Sequence, residues 1–330
     1  MRPVRVRGSR ICTVVSGRFS RRGRSHADGR VRYWSGECSF TVAGRARRWL
    51  LTVLALILSS PAAYGEGPAQ RSGSEAFPLG YLFYPLIAAP KEARTFISQH
   101  KMSSDFPNAT NVASVGYGGH FGLYRFSGAD ERALWQFNFT AALFAQFDLD
   151  LPSDDLVNAD YTFGFSLTRR WGAFSSRIRL YHQSSHLGDE VLLNHSLPIE
   201  WVDINFEALE ALLSYDWNSC WRVYGGGEYI VRQVRATRID PPMLRGGVEY
   251  RGKGLHGRSA RIIAGLNLAS REELGWTIDT SLKAGVELGS SRPGAHNLRI
   301  LLALYNGHIP YGQFYAEKSS SYGVEMALGF

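Results

Sequence analysis

Beyond residue 65 the sequence holds one cysteine, Cys220; the other two, Cys12 and Cys38, lie in the first 40 residues. An internal disulfide framework is thereby excluded from that part, and no cysteine stands where processing is expected, so none is placed to take a lipid anchor. Also missing after residue 65 is any apolar run long enough for a helix to cross a bilayer. Excess positive charge is absent there too. Residues 1–65 carry thirteen of the 37 basic residues but only two of the 29 acids, Asp28 and Glu37, which leaves 24 basic against 27 acidic. The formal +8 therefore belongs to the first 65 residues and does not point to a nucleic-acid partner.

Those 65 residues read as a leader. Arg45, Arg47 and Arg48 form a positive region, 49–58 an apolar one, and 59–65 a small-residue exit with cleavage expected near Ala63 or Gly65. The 44 residues before the positive region fit no secretion signal, and we expect translation to begin at Val42. The expected organisation is a leader at 1–65, a periplasmic N-terminal segment at 66–92, and a β-barrel at 93–330. The apolar run 79–89 has two placements open to it, in the periplasm or in the mouth of the barrel.

From about Arg94 onward, segments of roughly ten residues alternate apolar and polar between turn residues, which is the pattern of transmembrane strands. In the last segment Tyr322, Val324, Met326 and Leu328 share one face, while Gly323, Glu325, Ala327 and Gly329 share the other. Twelve strands are predicted, at 94–102, 111–126, 132–149, 157–171, 173–186, 204–217, 220–233, 243–253, 258–270, 275–289, 296–307 and 318–330. Short turns near 127–131, 172 and 218–219 fall at one end; longer connections at 149–156, 187–203, 234–242 and 308–317 fall at the other, as in a barrel with periplasmic turns and surface loops. The predicted inner faces gather Arg177, Arg179, Arg222, Glu228, Arg232, Arg245, Glu249, Arg261, Asp279, Lys283, Glu287, Arg299 and Glu325. Opposite charges crowded into a narrow bore must pair, so a filled lumen is expected rather than an open pore.

Reactive side chains concentrate at His182-Gln183-Ser184-Ser185-His186-Leu187-Gly188-Asp189-Glu190. Strand phase puts His182, Ser184 and His186 on the lipid-facing side, where polar groups are costly away from the interface. Asn205 and Glu207 occupy the same face of the next strand, within reach across a 4.8 Å strand spacing. Ser184 as nucleophile, His182 as base and Glu207 or Asn205 as orienting group would suit acyl-ester hydrolysis. The competing reading makes these residues interfacial contacts to lipopolysaccharide head groups. Asp189 and Glu190 are candidate calcium ligands; no other cofactor is expected. His186 and His195 lack zinc-motif spacing and a thiol partner. The run 225–227 is a strand kink rather than a phosphate loop, since no helix follows it.

His182-Gln183-Ser184 with Asn205 or Glu207 on the neighbouring strand resembles the active sites of outer-membrane phospholipase A and of lipid A deacylases. A closing aromatic, here Phe330, resembles the signal by which barrel assembly machinery recognises its clients. Over most of the chain, including Leu82-Phe83-Tyr84-Pro85-Leu86-Ile87-Ala88, the run at 182–190 and Arg222-Val223-Tyr224-Gly225-Gly226-Gly227, the sequence resembles a family of bacterial outer-membrane barrels of unknown function. The resemblance implies an outer-membrane location and outer-membrane lipids as partners. Two classes of function fit: a barrel with a filled lumen, serving as a structural component or narrow channel, and a surface lipid acyl hydrolase.

Overall fold

Hydrocarbon on one side and a charged bore on the other force a period of two along each strand, and the fold follows from that period. The structure, a computed structural model, describes residues 73–104, 109–128, 132–151, 153–189, 204–234, 239–254, 260–289 and 297–329. Its strands are β1 (Glu75–Ala76), β2 (Thr95–Ser104), β3 (Asn111–Ser127), β4 (Ala133–Asp148), β5 (Asp155–Trp171), β6 (Phe174–Leu187), β7 (Asn205–Asp216), β8 (Trp221–Gln233), β9 (Pro242–Arg251), β10 (Ala260–Arg271), β11 (Ile278–Gly289), β12 (Asn297–His308) and β13 (Lys318–Gly329). Strands β2 to β13 pair antiparallel with their sequence neighbours, and β2 pairs with β13, closing a twelve-stranded barrel. The two-residue β1 adds to the far end of β3, with Glu75 opposite Arg125 and Ala76 opposite Tyr124. The twelve predicted strands agree with these bounds to within a few residues; β1 was not foreseen.

Strands β5 and β6 are joined by Gly172–Ala173, where Gly172 at φ 59° supplies the positive φ that a two-residue hairpin needs at its first position. We call that the turn end, and the opposite rim the loop end. Around the turn end the outer surface carries aromatic pairs: Phe126 on Trp135, Phe174 on Tyr215, and Trp221 on Tyr250. Leu302 is 66% exposed and its neighbour Leu301 1%. Such an exterior, apolar at mid-height with aromatics at its edge, suits hydrocarbon as surrounding medium.

The interior is charged, as expected, and almost fully paired. Arg232 is a correction. It is exposed on the outer surface, because the β7–β8 register shifts between Glu207 and Ala208, leaving Arg232 opposite Glu207 but Ile230 opposite Ala208. One extra residue in β8 inverts the side-chain phase beyond it.

Of the two placements open to the 79–89 run, the structure has the inner one. Between β1 and β2, both of which lie at the turn end, the chain folds into the bore and back, with Leu82, Phe83, Leu86, Ile87, Ala88, Ala89 and Glu92 all buried. Phe83, Leu86 and Ala89 pack on inward-facing Leu212 and Tyr224, while Ile87 packs on Ile263 and Leu301. Burial stabilises each large side chain by about 1.5–3 kcal/mol. Gly265 makes room: a Cβ there would lie 2.9 Å from Ile87 Cβ.

Candidate functional site

The internal segment contains Pro78, Pro85 and Pro90 and cannot run as a regular strand, so its backbone groups need other partners inside the bore. Arginines from the wall provide them. Arg170 Nε donates to the Leu82 carbonyl at 2.9 Å, Arg222 Nη1 to that of Tyr84 at 2.8 Å, and Arg251 Nη2 to that of Pro85 at 3.3 Å. The Ile87 amide donates to Glu249 Oε1 at 2.6 Å, and Arg94 Nη1 donates to the Ile87 carbonyl at 2.7 Å.

The charges that the segment carries complete the wall network. Glu92 accepts from Arg177 Nη1 and Nη2 at 2.5 and 3.0 Å, and its Oε1 lies 2.9 Å from His120 Nε2. Arg177 Nε also donates to Glu210, which takes further bonds from Arg179 and Arg245. Lys91 Nζ donates to Asp160 and Gln183, both at 2.6 Å. Arg94 and Lys283 share Glu325, and Arg261 and Arg299 share Glu287. Lys91 and Glu92 were missed by sequence reasoning that looked only along the strands, and Arg94, at the start of the first predicted strand, was not counted among the inner-face charges. For Glu92 the signal was the surplus of arginine over acid on the predicted inner faces of β6 and β8, which called for an acid from elsewhere.

On the outer surface the structure brings some of the predicted triad together. His182 on β6 stands opposite Glu207 on β7, with Nδ1 3.2 Å from Oε1, and its ring packs 5.1 Å from that of Phe163. Glu207 Oε1 also accepts from Arg232 Nη1 at 3.5 Å. Ser184 stands opposite Asn205. Both His182 and Ser184 share the outward face of Leu180, which is 53% exposed. Among the described residues no hydrogen bond joins Ser184 Oγ to His182. The imidazole thus has a carboxylate partner that can fix its tautomer, while Ser184 stands two residues further along the same face with no hydrogen bond to it. Gln183 and Ser185 face inward, and His186 packs against Tyr161 at 5.7 Å. Asp189 follows β6 at the loop end, whereas Glu190, His195 and Phe330 lie outside the described residues. No group of His, Cys, Asp or Glu suited to a metal ion occurs among the described residues.

Outer membrane phospholipase A from Escherichia coli is similar to this chain at 15% identity, covering 74% of this chain and 93% of that one, with a TM-score of 0.49. The Salmonella typhi outer membrane phospholipase, a dimer with bound calcium, is similar at 13% identity over 74% and 93%, with a TM-score of 0.48. The β domain of the Bordetella autotransporter BrkA is similar at 12% identity over 72% and 97%, with a TM-score of 0.36. No curated protein matches the sequence. A family model matches residues 70–330, a span that takes in every described residue, and the protein belongs to that family, described as "Protein of unknown function (DUF1207)".

Proposed function

We propose that this protein is an outer-membrane β-barrel of a Gram-negative bacterium whose bore is closed by its own N-terminal segment, so that it works at its outer surface and not as a solute channel. Residues 1–65 act as a leader, Phe330 as the contact for barrel assembly machinery, and outer-membrane lipids, lipopolysaccharide among them, surround the wall. The observation that carries the reading is the segment itself: Leu86 and Ile87 are fully buried inside the bore, with Arg222 and Arg251 of the wall and Arg94 of the segment bonded to the carbonyls around them. Thiol labelling tests it. In a Cys220→Ser background, Ile87→Cys in the membrane-inserted chain is expected to resist a water-soluble maleimide that modifies Ser320→Cys at the exposed rim. Equal labelling of the two would contradict the reading.

A second reading is supported by the His182–Glu207 contact at 3.2 Å: a surface acyl hydrolase with Ser184 as nucleophile, His182 as base, and Glu207, or Asn205, as the orienting group. Asp189 and Glu190 are the residues offered to calcium under this reading. Phospholipid and lipid A hydrolysis by the membrane-inserted chain, with and without calcium, tests it. Turnover lost in both Ser184→Ala and His182→Ala supports the enzyme; no turnover by the inserted wild-type chain contradicts it.

A further inference from the structure

At the loop end, a groove of about 350 Å³ crosses the rim of four neighbouring strands, β2, β13, β12 and β11. That volume lies within the range of small-molecule sites. Its lining is mainly hydroxyl, amide and charge, from Ser103 on β2, Lys318 and Ser320 on β13, Asn306 and His308 on β12, and Asp279 on β11, with Ile278 on β11 as the large apolar side chain. Asn306 Nδ2 donates to Ser320 Oγ at 2.6 Å, and His308 Nδ1 lies 2.8 Å from Asp279 Oδ1. Gly307, at φ +150°, keeps the floor low, since a Cβ there would come within 2.4 Å of Asp279 Oδ1. Where the outer face of β5 shows Tyr161 and Phe163, both exposed, this groove has no Phe, Tyr or Trp in its lining.

Beneath the Asn306–Ser320 rung the β12–β13 face becomes apolar apart from the Tyr322 hydroxyl, while on β2 the exposed Lys101 and Gln99 stand beside Tyr322 and Val324. Four successive cross-strand pairs follow: Leu304 with Tyr322, Leu302 with Val324, Ile300 with Met326, and Leu298 with Leu328. At two residues per rung this ladder runs about 20 Å along the strands, comparable to an extended acyl chain. A polar pocket over an apolar wall is complementary to an amphiphile with a polyhydroxyl head. Amides, hydroxyls and a carboxylate bond sugar hydroxyls, and the Lys318 ammonium suits an anionic substituent on them.

We propose that this groove holds the glycan headgroup of an outer-leaflet glycolipid whose acyl chains lie along the ladder below. The proposal rests on the outer-membrane reading above and adds to it a site and a ligand class. The apolar ladder favours a lipid-linked glycan over a free one.

Native mass spectrometry of the full chain, purified in mild detergent from an outer membrane, tests it with three probes offered separately: rough lipopolysaccharide, its de-acylated oligosaccharide and phosphatidylglycerol. Rough lipopolysaccharide is expected to be retained at least tenfold more strongly than either of the others. Lys318→Glu and Asn306→Leu should each reduce that retention tenfold or more, while Lys253→Glu, at the exposed turn end, should leave it unchanged. Heat-modifiable gel mobility checks that every variant is a folded barrel. Unchanged retention in both groove variants, or equal retention of phosphatidylglycerol, would overturn the site; equal retention of the free oligosaccharide would overturn the lipid assignment. A full chain absent from the outer-membrane fraction would instead overturn the membrane reading, and the site with it.

Discussion

Glu92 and Arg177, 85 residues apart in sequence, meet inside the bore through two parallel hydrogen bonds of 2.5 and 3.0 Å. Both side chains are essentially inaccessible to solvent. The pair fastens the N-terminal segment to β6, and through Glu210 the same guanidinium ties β6 to β7. Removing one member of a buried pair leaves the other charge uncompensated. Glu92→Ala is therefore expected to destabilise the barrel by about 3–5 kcal/mol in reversible unfolding from detergent. Glu75→Ala, whose 3.5 Å contact with Arg125 is largely exposed, should cost no more than about 1 kcal/mol. Equal effects would show that Glu92 does not anchor the segment.

Gly265 gives a steric test of the same fit. Gly265→Val puts methyl groups where Ile87 sits, and overpacking of this kind costs about 1–3 kcal/mol. Amide exchange at Ile87 and Ala88 should quicken while exchange in β12 and β13 stays slow. At Gly246 an added Cβ meets only the Tyr224 carbonyl at 3.5 Å, so Gly246→Ala should leave both unchanged.

Acidification should reach the loop end at one identifiable place. Asp150 accepts hydrogen bonds from the amides of Thr110 and Asn111 and from both their side chains, with the Asn111 side chain the strongest influence, and these donors hold its carboxyl well below the usual carboxylate range. A depressed carboxylate pKa contributes stability that is present above the free value, near 3.9, and lost as pH falls through the lower folded value. Protection of the Thr110 and Asn111 amides should thus persist at pH 4 and disappear only on further acidification. Asp150→Asn should abolish the pH dependence. Loss of protection already between pH 6 and 5 would exclude Asp150 as the group responsible.

If the outer-surface residues are catalytic, Glu207 and Asn205 should separate in kinetics. Glu207 is the residue in contact with His182. Glu207→Ala should lower turnover to the extent that His182→Ala does, within the roughly 10²–10⁴-fold that general-base catalysis contributes. Asn205→Ala should retain most of it. The reverse order would assign the orienting role to Asn205.

The barrel was legible in the sequence because lipid outside and charge inside impose alternation on every strand: Tyr322, Val324 and Met326 are outward and exposed, and Glu325 is buried, as their spacing requires. The same alternation placed His182 and Ser184 outside and Arg177 inside. It failed at Arg232, where a bulge inverts the phase, since a bulge of one residue leaves no mark on composition. It was silent on the 79–89 run, where three nearby prolines and a continuous apolar stretch obey no strand period. The contacts that place this run are long-range, from Glu249 to the Ile87 amide and from Arg222 to the Tyr84 carbonyl, and side-chain partners so far apart in sequence follow only from the closed barrel. The site was legible as a set of residues on one face. The pairing of His182 with Glu207 rather than Asn205 depended on register, which alternation alone does not determine.

Closure of the bore by the N-terminal segment can be measured electrically. Single-channel recording of the full chain in a planar bilayer, beside Glu92→Ala and Gly265→Val, tests it most directly. A closed bore gives no resolvable conductance steps from the wild-type chain and intermittent steps from the variants as the segment loosens. Steady ion conductance from the wild-type chain, unchanged by either substitution, would contradict it.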